Sequence, residues 1–429
     1  MKMRSLQLVI LFLLIGDGLA KAQFTLSGEY RTRTEYRHGF GSLSDTDMNA
    51  GFFTDQRARI NFYYVSEGYD FKLVFQDVRT WGSEPQLTLG DGKWTTIHEA
   101  WARVIFSEKF AFKFGRQEII YDDHRIFGNV GWAQQARSHD VAIFQFANNE
   151  WKADIGLAFN QDKPQSNTTF YTVTPGYKAF QTIWINRKTD NFEGSFLFLN
   201  NGMEGGTKDD PKTFYSQTIG TRLGSSMSSW TGHLTLYYQG GKMSDNTTKI
   251  NAALIGFDLS YKINDRTSLL VGYERQSGNS ELNQDPGINN AFTPFYGTNH
   301  KFNGFMDYFY VGNHIGSVGL SDVYVMVKYN PSRISFSGWI HSFAAANDVA
   351  DASGAGKLNN ALGVELDLVV GFRVAEGVNL VTGYSQMFAT ATMEALKGGS
   401  KKATSNWAWV MITLKPNLFS TEDKNVVSK

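Results

Sequence analysis

Alternating apolar and polar residues run along most of this chain. In residues 24–37 (FTLSGEYRTRTEYR), aromatic and aliphatic side chains share one parity, while acidic and basic side chains share the other. Residues 361–373 (ALGVELDLVVGFR) repeat the pattern, with Glu365 and Asp367 on the polar side. A period of two predicts β-strands that have one apolar and one polar face. We therefore expect an all-β protein.

Two architectures use such strands in opposite ways. A soluble β-sandwich turns the apolar faces inward, whereas an outer-membrane barrel turns them towards lipid and keeps a polar lumen. Many of the alternating runs reach about ten to fourteen residues, which is longer than a usual soluble strand and suits a tilted transmembrane strand. Strand length favours the barrel. A secreted β-sandwich binding protein is the alternative from a different class.

The connections between the predicted strands alternate between short and long. Short connections are predicted at residues 66–69, 107–109, 147–150, 188–191, 225–229, 264–267, 330–332 and 374–377. Long connections are predicted at residues 38–50, 82–94, 121–136, 160–178, 201–211, 240–248, 277–319, 344–358 and 390–405. This pattern predicts an 18-stranded antiparallel transmembrane β-barrel with short periplasmic turns and long extracellular loops. Residues 306–315 could make a further strand, but counting them would put the short connections 330–332 and 374–377 on the wrong side of the membrane, so we place them inside the connection 277–319.

The first residues carry an export signal. Lys2 and Arg4 precede an apolar stretch at residues 6–16, and an A-K-A sequence follows at residues 20–22. This layout is typical of a secretory signal peptide with a small-residue cleavage site. We expect a signal peptide at residues 1–22, the barrel at residues 23–419 and a tail at residues 420–429, located in the outer membrane of a Gram-negative bacterium.

Composition removes several classes of protein. The chain has 41 basic and 41 acidic residues, and this balance gives no support for nucleic-acid binding. It has no cysteine, which excludes disulfides and cysteine-ligated metals. No linker rich in Pro, Gly or Ser divides the 429 residues, so we expect one uniform architecture instead of several domains.

One segment resembles a known family. Residues 113–140 read KFGRQEIIYDDHRIFGNVGWAQQARSHD, with G-R-Q at a strand end, then Y-x-D, R-x-x-G, a Trp near Gln, and an Arg followed by Asp. This order of motifs resembles the alginate-export family of outer-membrane barrels. Residues 75–82 (FQDVRTWG), 98–104 (HEAWARV) and 295–309 (FYGTNHKFNGFMDYF) resemble further segments of that family. The resemblance implies 18 strands and the passage of an anionic polysaccharide or a smaller polar solute.

Charged residues on the polar strand faces and in this segment are the candidates for the lumen. Arginine binds carboxylates through paired N–H donors, so an arginine-rich wall suits a solute that carries carboxylates. Acidic residues nearly equal the arginines in number, and an ion pair between the two is also explained as a structural element of the wall. The predicted lumen-lining residues are Arg31, Arg33, Arg57, Arg59, Arg79, Glu99, Arg103, Arg116, Gln117, Arg125, Arg137, Asp140 and Arg222.

The expected function is transport. We expect an outer-membrane channel that passes an anionic polysaccharide, as in alginate export, or a related polar solute. The alternative is a general or substrate-selective diffusion porin for small solutes. The expected partners are outer-membrane lipid, the transported solute and, for export, a periplasmic protein that delivers the polymer; no nucleic acid is expected.

A barrel of this size needs a constriction, because an empty lumen would be a wide aqueous channel. The connection 277–319 is the one long enough to fold inward, and residues 295–309 carry more apolar surface than a solvated loop should keep. We expect this segment to pack inside the mouth and narrow it, opposite Arg116 and Arg125 on the wall. The predicted constriction residues are Phe295, Tyr296, Asn299, His300, Phe302 and Asp307.

Catalytic and metal-binding motifs are weak. The sequence has no nucleophile elbow and no Ser-His-Asp spacing, and a lone His on a polar strand face is usually a wall residue. Residues 347–354 (NDVADASG) lack the full spacing of a calcium-binding loop. We therefore predict no enzymatic activity, no cofactor and no metal site.

Overall fold

The computed structural model describes residues 22–87, 95–173 and 176–421. The predicted signal peptide and most of the predicted tail lie outside the described residues. No helix among the residues described is long and apolar enough to cross a membrane. The same residues contain one short α-helix, α1 (Ala391–Lys397), which begins at its N-cap Thr390.

Long antiparallel strands form the wall of the fold. The strands are β1 (Gln23–His38), β2 (Gly51–Val65), β3 (Tyr69–Thr80), β4 (Thr95–Ile105), β5 (Phe110–Gln117), β6 (His139–Ala147), β7 (Trp151–Phe159), β8 (Ala179–Lys188), β9 (Phe192–Gly206), β10 (Pro211–Met227), β11 (Trp230–Gly241), β12 (Lys249–Ile250), β13 (Ala252–Lys262), β14 (Thr267–Gln276), β15 (Ile288–Asn289), β16 (Leu320–Tyr329), β17 (Ile334–Ala344), β18 (Ala361–Ala375), β19 (Val378–Ala389), β20 (Ser405–Leu414) and β21 (Asn417–Ser420). β12 and β15 pair with each other in a separate two-stranded sheet, outside the wall. β21 continues β20 along β1 after an interruption at Pro416.

The wall closes on itself. β1 pairs with β2 on one side and with β20 on the other, as Tyr30 shows by lying opposite both Ala58 and Leu414. Closure pairs the backbone N–H and C=O groups around the ring, which lipid requires because it offers no hydrogen-bond partners. The prediction of an all-β, 18-stranded antiparallel closed barrel is therefore confirmed.

The two faces of each wall strand differ as the alternation predicts. On β17, Ile340 is 53% exposed while its neighbour His341 is 4% exposed. On β18, Val364 is exposed, whereas Glu365 and Asp367 are fully buried. A closed barrel with Ile, Val, Leu and Phe on its outer face presents an apolar surface to a bilayer. This agrees with the predicted location in the outer membrane.

The short connections lie where the sequence predicts them. Residues 66–68 join β2 to β3, for example, and residues 376–377 join β18 to β19. Antiparallel order puts all eight of them at one end of the barrel, called here the short-turn end, and the longer connections at the opposite, long-loop end.

One predicted long connection is wrong. The sequence pattern predicts a loop at residues 201–211, but β9 and β10 remain paired as far as Gly206 and Pro211. Only residues 207–210 turn between them. The neighbouring connection packs on this hairpin, where Lys178 forms an ion pair with Glu204 (2.9 Å). The ladder continues because its cross-strand partner remains in register, which alternation in a single strand does not reveal.

Candidate functional site

Two long connections fold into the barrel. Inner loop A is residues 118–138, between β5 and β6, and inner loop B is residues 277–319, between β14 and β16. Phe127 of inner loop A and Phe292 of inner loop B are fully buried in one hydrophobic cluster with wall residues such as Phe180. Apolar side chains therefore draw both connections inward instead of leaving them in solvent.

The two inner loops are joined through their backbones. The N–H of Gly128 donates to the carbonyl of Tyr296 (2.9 Å), and the N–H of Tyr296 donates to the carbonyl of Ile126 (3.0 Å). The N–H of Thr298 donates in the same way to the carbonyl of His124 (2.9 Å). The inner loops thus form one connected layer within the barrel.

Arginines of β1 and β2 hold inner loop A. Arg31 donates from Nε to the side-chain oxygen of Gln134 (2.8 Å). Arg33 donates from Nη1 to the carbonyl of Trp132 (2.7 Å), and Arg57 donates from Nη1 to the carbonyl of Gln134 (3.1 Å). The guanidinium fork matches a row of carbonyl oxygens because all its N–H groups are donors. These three predicted lumen residues therefore face inward, and each of them donates at least one hydrogen bond to the protein's own loop.

The opposite wall holds inner loop A by charge. Arg125 forms a buried ion pair with Glu274 on β14, and its guanidinium carbon lies 3.5 Å from the ring centre of Phe302. Arg222 on β10 lies 3.6 Å from Asp123. Inner loop A thus spans the lumen from β1 and β2 to β10 and β14. The sequence-based placement of Arg125 on the wall is wrong, because Arg125 belongs to the loop that the wall holds.

The predicted constriction segment lies inside the barrel, in inner loop B. His300 stacks on Trp132 of inner loop A with ring centres 4.7 Å apart, and its Nδ1 lies 2.6 Å from Oδ1 of Asp307. Asn299 donates to the carbonyl of Tyr310 (3.1 Å). Phe302 packs under Arg125 as described above, while Phe295 and Tyr296 pack against the cluster around Phe127. All six predicted constriction residues therefore belong to inner loop B and make contacts within the inner layer.

Other predicted residues are inward-facing parts of the wall or of inner loop A. Arg137 donates to the carbonyl of Gly297 (3.0 Å), and its burial lowers the pKa of its guanidinium below the ordinary value. Gln117 is fully buried and donates to the carbonyl of Val141 (3.1 Å). Arg103 pairs with Asp70 near the short-turn end.

Three predicted lumen residues lie on the outer side of the wall. Arg116 shares its strand face with Phe114, which is 43% exposed, and pairs with Asp140 (2.9 Å) on β6. Arg79 likewise shares its strand face with the exposed ring of Phe75. The lumen assignments of Arg79, Arg116 and Asp140 are therefore corrected. All three stand at the long-loop ends of their strands, where an outward charge reaches the polar membrane surface.

A cavity of about 1110 Å³ lies between inner loop A and the short-turn end. Its charged lining residues are Arg31, Arg57, Arg59, Lys72 and Lys415 on the basic side and Glu29, Glu99 and Glu118 on the acidic side. Arg59 donates from Nε to Gln76 (3.0 Å), but its Nη2 has no hydrogen-bond partner among the described residues. A second cavity of about 700 Å³, near Tyr177 and Tyr296, lies at the long-loop end and shares no lining residue with the first.

The sequence interpretation missed inner loop A as part of the interior. The sequence pattern predicts residues 121–136 as a long extracellular connection, although Tyr121, Ile126, Phe127 and Trp132 give them the same apolar content that marks residues 295–309. That content was the available signal, because a loop rich in aromatics is rarely left in solvent. The sequence gives no sign that the backbone carbonyls of this loop accept hydrogen bonds from the arginines of the wall.

Comparisons with known proteins identify the fold. No protein-family profile and no curated protein matches this sequence. The structure is similar to Pseudomonas aeruginosa OccK9 (OpdG), with a TM-score of 0.61 at 10% identity over 91% of this chain and 98% of that one. It is similar to OccK11 (OpdR) from the same organism, with a TM-score of 0.60 at 12% identity over 93% and 96% of the two chains. The outer membrane protein opdK of that organism gives a TM-score of 0.57 at 10% identity over 92% and 99%.

These similarities support an outer-membrane β-barrel, but they do not support the alginate-export family in particular. The similarity extends over nearly the whole of each chain, while the identity is low, so it concerns the fold. The chain has the 18-stranded closed-barrel fold of these outer-membrane proteins.

Proposed function

We propose that the protein is a diffusion channel of the Gram-negative outer membrane that passes small polar solutes. In this proposal the long-loop end faces the exterior and the short-turn end faces the periplasm. The observation that carries it is the attachment of inner loop A across the lumen by Arg31, Arg33 and Arg57. A polysaccharide needs a continuous wide passage, whereas a lumen crossed by a held layer suits solutes that pass around it. Small-solute diffusion is therefore favoured over polymer export.

The charges of the larger cavity favour anions. Five basic and three acidic side chains line it, and arginine is the side chain whose geometry matches a carboxylate. Arg59 is the guanidinium in this lining that keeps a donor without a partner among the described residues. We infer that small carboxylate-bearing solutes are preferred and that Arg59 contributes to this preference.

Bilayer recordings and liposome swelling test the proposal together. The purified chain in a planar bilayer under a KCl gradient should give a reversal potential that indicates anion preference, and Arg59→Gln should reduce it. Arg103→Gln is the matched control, because Arg103 pairs with Asp70 and does not line the cavity. Liposomes containing the protein should swell faster in a uronate monomer than in an uncharged sugar of similar size.

Two outcomes would contradict the proposal. Cation preference in the wild type, or an equal effect of both arginine substitutions, would reject the assignment of Arg59. Passage of a uronate polymer at a rate similar to that of the monomer would restore polymer transport as the better interpretation.

A further inference from the structure

A β-bulge turns two neighbouring side chains to the same side of β4. The ladder between β3 and β4 pairs Val74 with Glu99 and then Phe75 with Ile97, which leaves His98 as the additional residue. Side chains normally alternate along a strand, and a bulge re-aims one of them. Accordingly His98 and Glu99 are both inward, with exposures of 3% and 5%.

A third group from inner loop A completes the cluster. Glu118, the first residue of that loop, places Oε1 2.8 Å from Nε2 of His98. One ligand-type atom from each of His98, Glu99 and Glu118 lies within 4.8 Å of the other two. A tetrahedral zinc ion with bonds of about 2.0–2.2 Å to nitrogen and oxygen holds its ligand atoms about 3.3–3.6 Å apart, so the three side chains would have to adjust slightly to bind one.

Each of the three side chains is also held by a hydrogen bond from outside the cluster. Nδ1 of His98 lies 3.2 Å from Oγ of Ser138, and the side-chain amide of Asn129 donates to Oε2 of Glu118 (2.9 Å). The indole N–H of Trp101 donates to Oε2 of Glu99 (2.8 Å). Metal-binding His and carboxylate side chains are typically oriented by such outer contacts.

We propose that His98, Glu99 and Glu118 form a Zn²⁺ site. The ion would take the place of the proton between His98 and Glu118 and bind a nitrogen and two carboxylate oxygens, with a water as the fourth ligand. Both glutamates line the cavity of about 1110 Å³, which gives a hydrated ion a route to the site. Neither the cluster nor its bulge has a motif in the sequence.

Neighbouring cations oppose the ion: Lys72, Arg59 and Lys113 each interact electrostatically with a glutamate of the cluster. Lys72 places Nζ 2.6 Å from Oε1 of Glu99, with 31% of its side chain exposed. Its ammonium competes with Zn²⁺ for that carboxylate, so removal of Lys72 should strengthen binding. A bound ion would join the start of inner loop A to β4 and so reduce the mobility of the layer that crosses the lumen.

Isothermal titration calorimetry on the untagged full chain in detergent tests the site with ZnCl₂. We expect one Zn²⁺ per chain, and at least about a tenfold loss of affinity in His98→Ala and in Glu118→Gln. Lys72→Met should bind more tightly than the wild type. His233→Ala is the matched control, since His233 contacts the carboxylate of Asp258 (2.8 Å) outside this cluster, and its affinity should not change.

Absence of Zn²⁺ binding by the wild type would overturn the proposal. Stoichiometric binding that persists in both folded His98→Ala and folded Glu118→Gln would do the same. If His98→Ala fails to fold, Glu118→Gln and Lys72→Met still report on the site, in opposite directions. The heat of binding is measured without transport, so this result is independent of the proposed channel function.

Discussion

Arg31 on the barrel wall and Gln134 in inner loop A are joined by a hydrogen bond of 2.8 Å, although they are 103 residues apart in the sequence. The same guanidinium donates to the carbonyls of Gly131 (2.8 Å) and Trp132 (3.0 Å). This contact fixes one side of the loop that crosses the lumen. The width of the passage therefore depends on these wall arginines. In a simple pore such arginines would contact the solute; here they hold a loop of the protein.

Replacing Arg31 with Met should loosen inner loop A and raise single-channel conductance. Hydrogen bonds to a charged group each contribute about 1.5–3 kcal/mol, and Arg31 makes several of them to a single loop. Planar-bilayer recordings of the folded variant measure the effect. Arg103→Met is the control, because it removes an inward arginine that contacts Asp70 and neither inner loop. Equal conductance in Arg31→Met and the wild type would show that the loop is held elsewhere.

Arg125 and Glu274 should be strongly coupled in stability. Removing one member of a buried ion pair leaves an uncompensated charge and costs about 3–5 kcal/mol. We expect Arg125→Met and Glu274→Gln each to lower the free energy of unfolding in urea. The double variant should lose less than the sum of the two single losses. Additive losses would mean that the pair contributes little beyond its separate packing.

Acid should destabilise inner loop B through His314. Burial lowers the pKa of His314 to about 3, its Nε2 lies 3.0 Å from the carbonyl oxygen of Gly319, and its Nδ1 has no partner among the described residues. An unfolded His titrates near about 6.5. Between these values the unfolded state binds the additional proton, so the stabilisation is complete above pH 6.5 and is lost as the pH falls towards 3.

Hydrogen exchange of inner loop B between pH 7 and pH 4 measures this effect, after correction for the intrinsic pH dependence of exchange. His314→Gln keeps a side-chain donor for Gly319 but cannot gain a proton, so its protection should change less over this range. A wild type and variant with the same pH dependence would exclude His314 as the responsible group.

A charge on the outer face of β18 should disturb insertion or stability. Leu366 shares its face with Val364, which is 39% exposed, and lies near the middle of the strand. Arg at the middle of a lipid-facing strand costs about 2–4 kcal/mol. Thr413→Arg is the matched control, because Thr413 lines the water-accessible cavity. Normal folding and stability of Leu366→Arg would contradict the assigned faces of β18.

The alternation in the sequence was sufficient to predict the strands of the barrel wall. In a closed barrel every strand has one face towards the bilayer and one towards the lumen. A local pattern such as residues 361–373 therefore indicates which side chains face each side. The eight short connections follow from the same pattern. The pattern weakens at strand ends, where Arg79, Arg116 and Asp140 face outward because a charge there reaches water or headgroups instead of the hydrocarbon core.

The sequence by itself determined the strand class and the positions of the short turns, because period-two burial is a local property of the chain. The tertiary structure alone decided what fills the lumen. The contacts of Arg31 with Gln134 and of Arg125 with Glu274 join residues 103 and 149 positions apart. The bulge that aligns His98 with Glu99 arises from a register shift against β3. Such contacts depend on which distant segments meet, and no periodicity within one segment specifies that meeting.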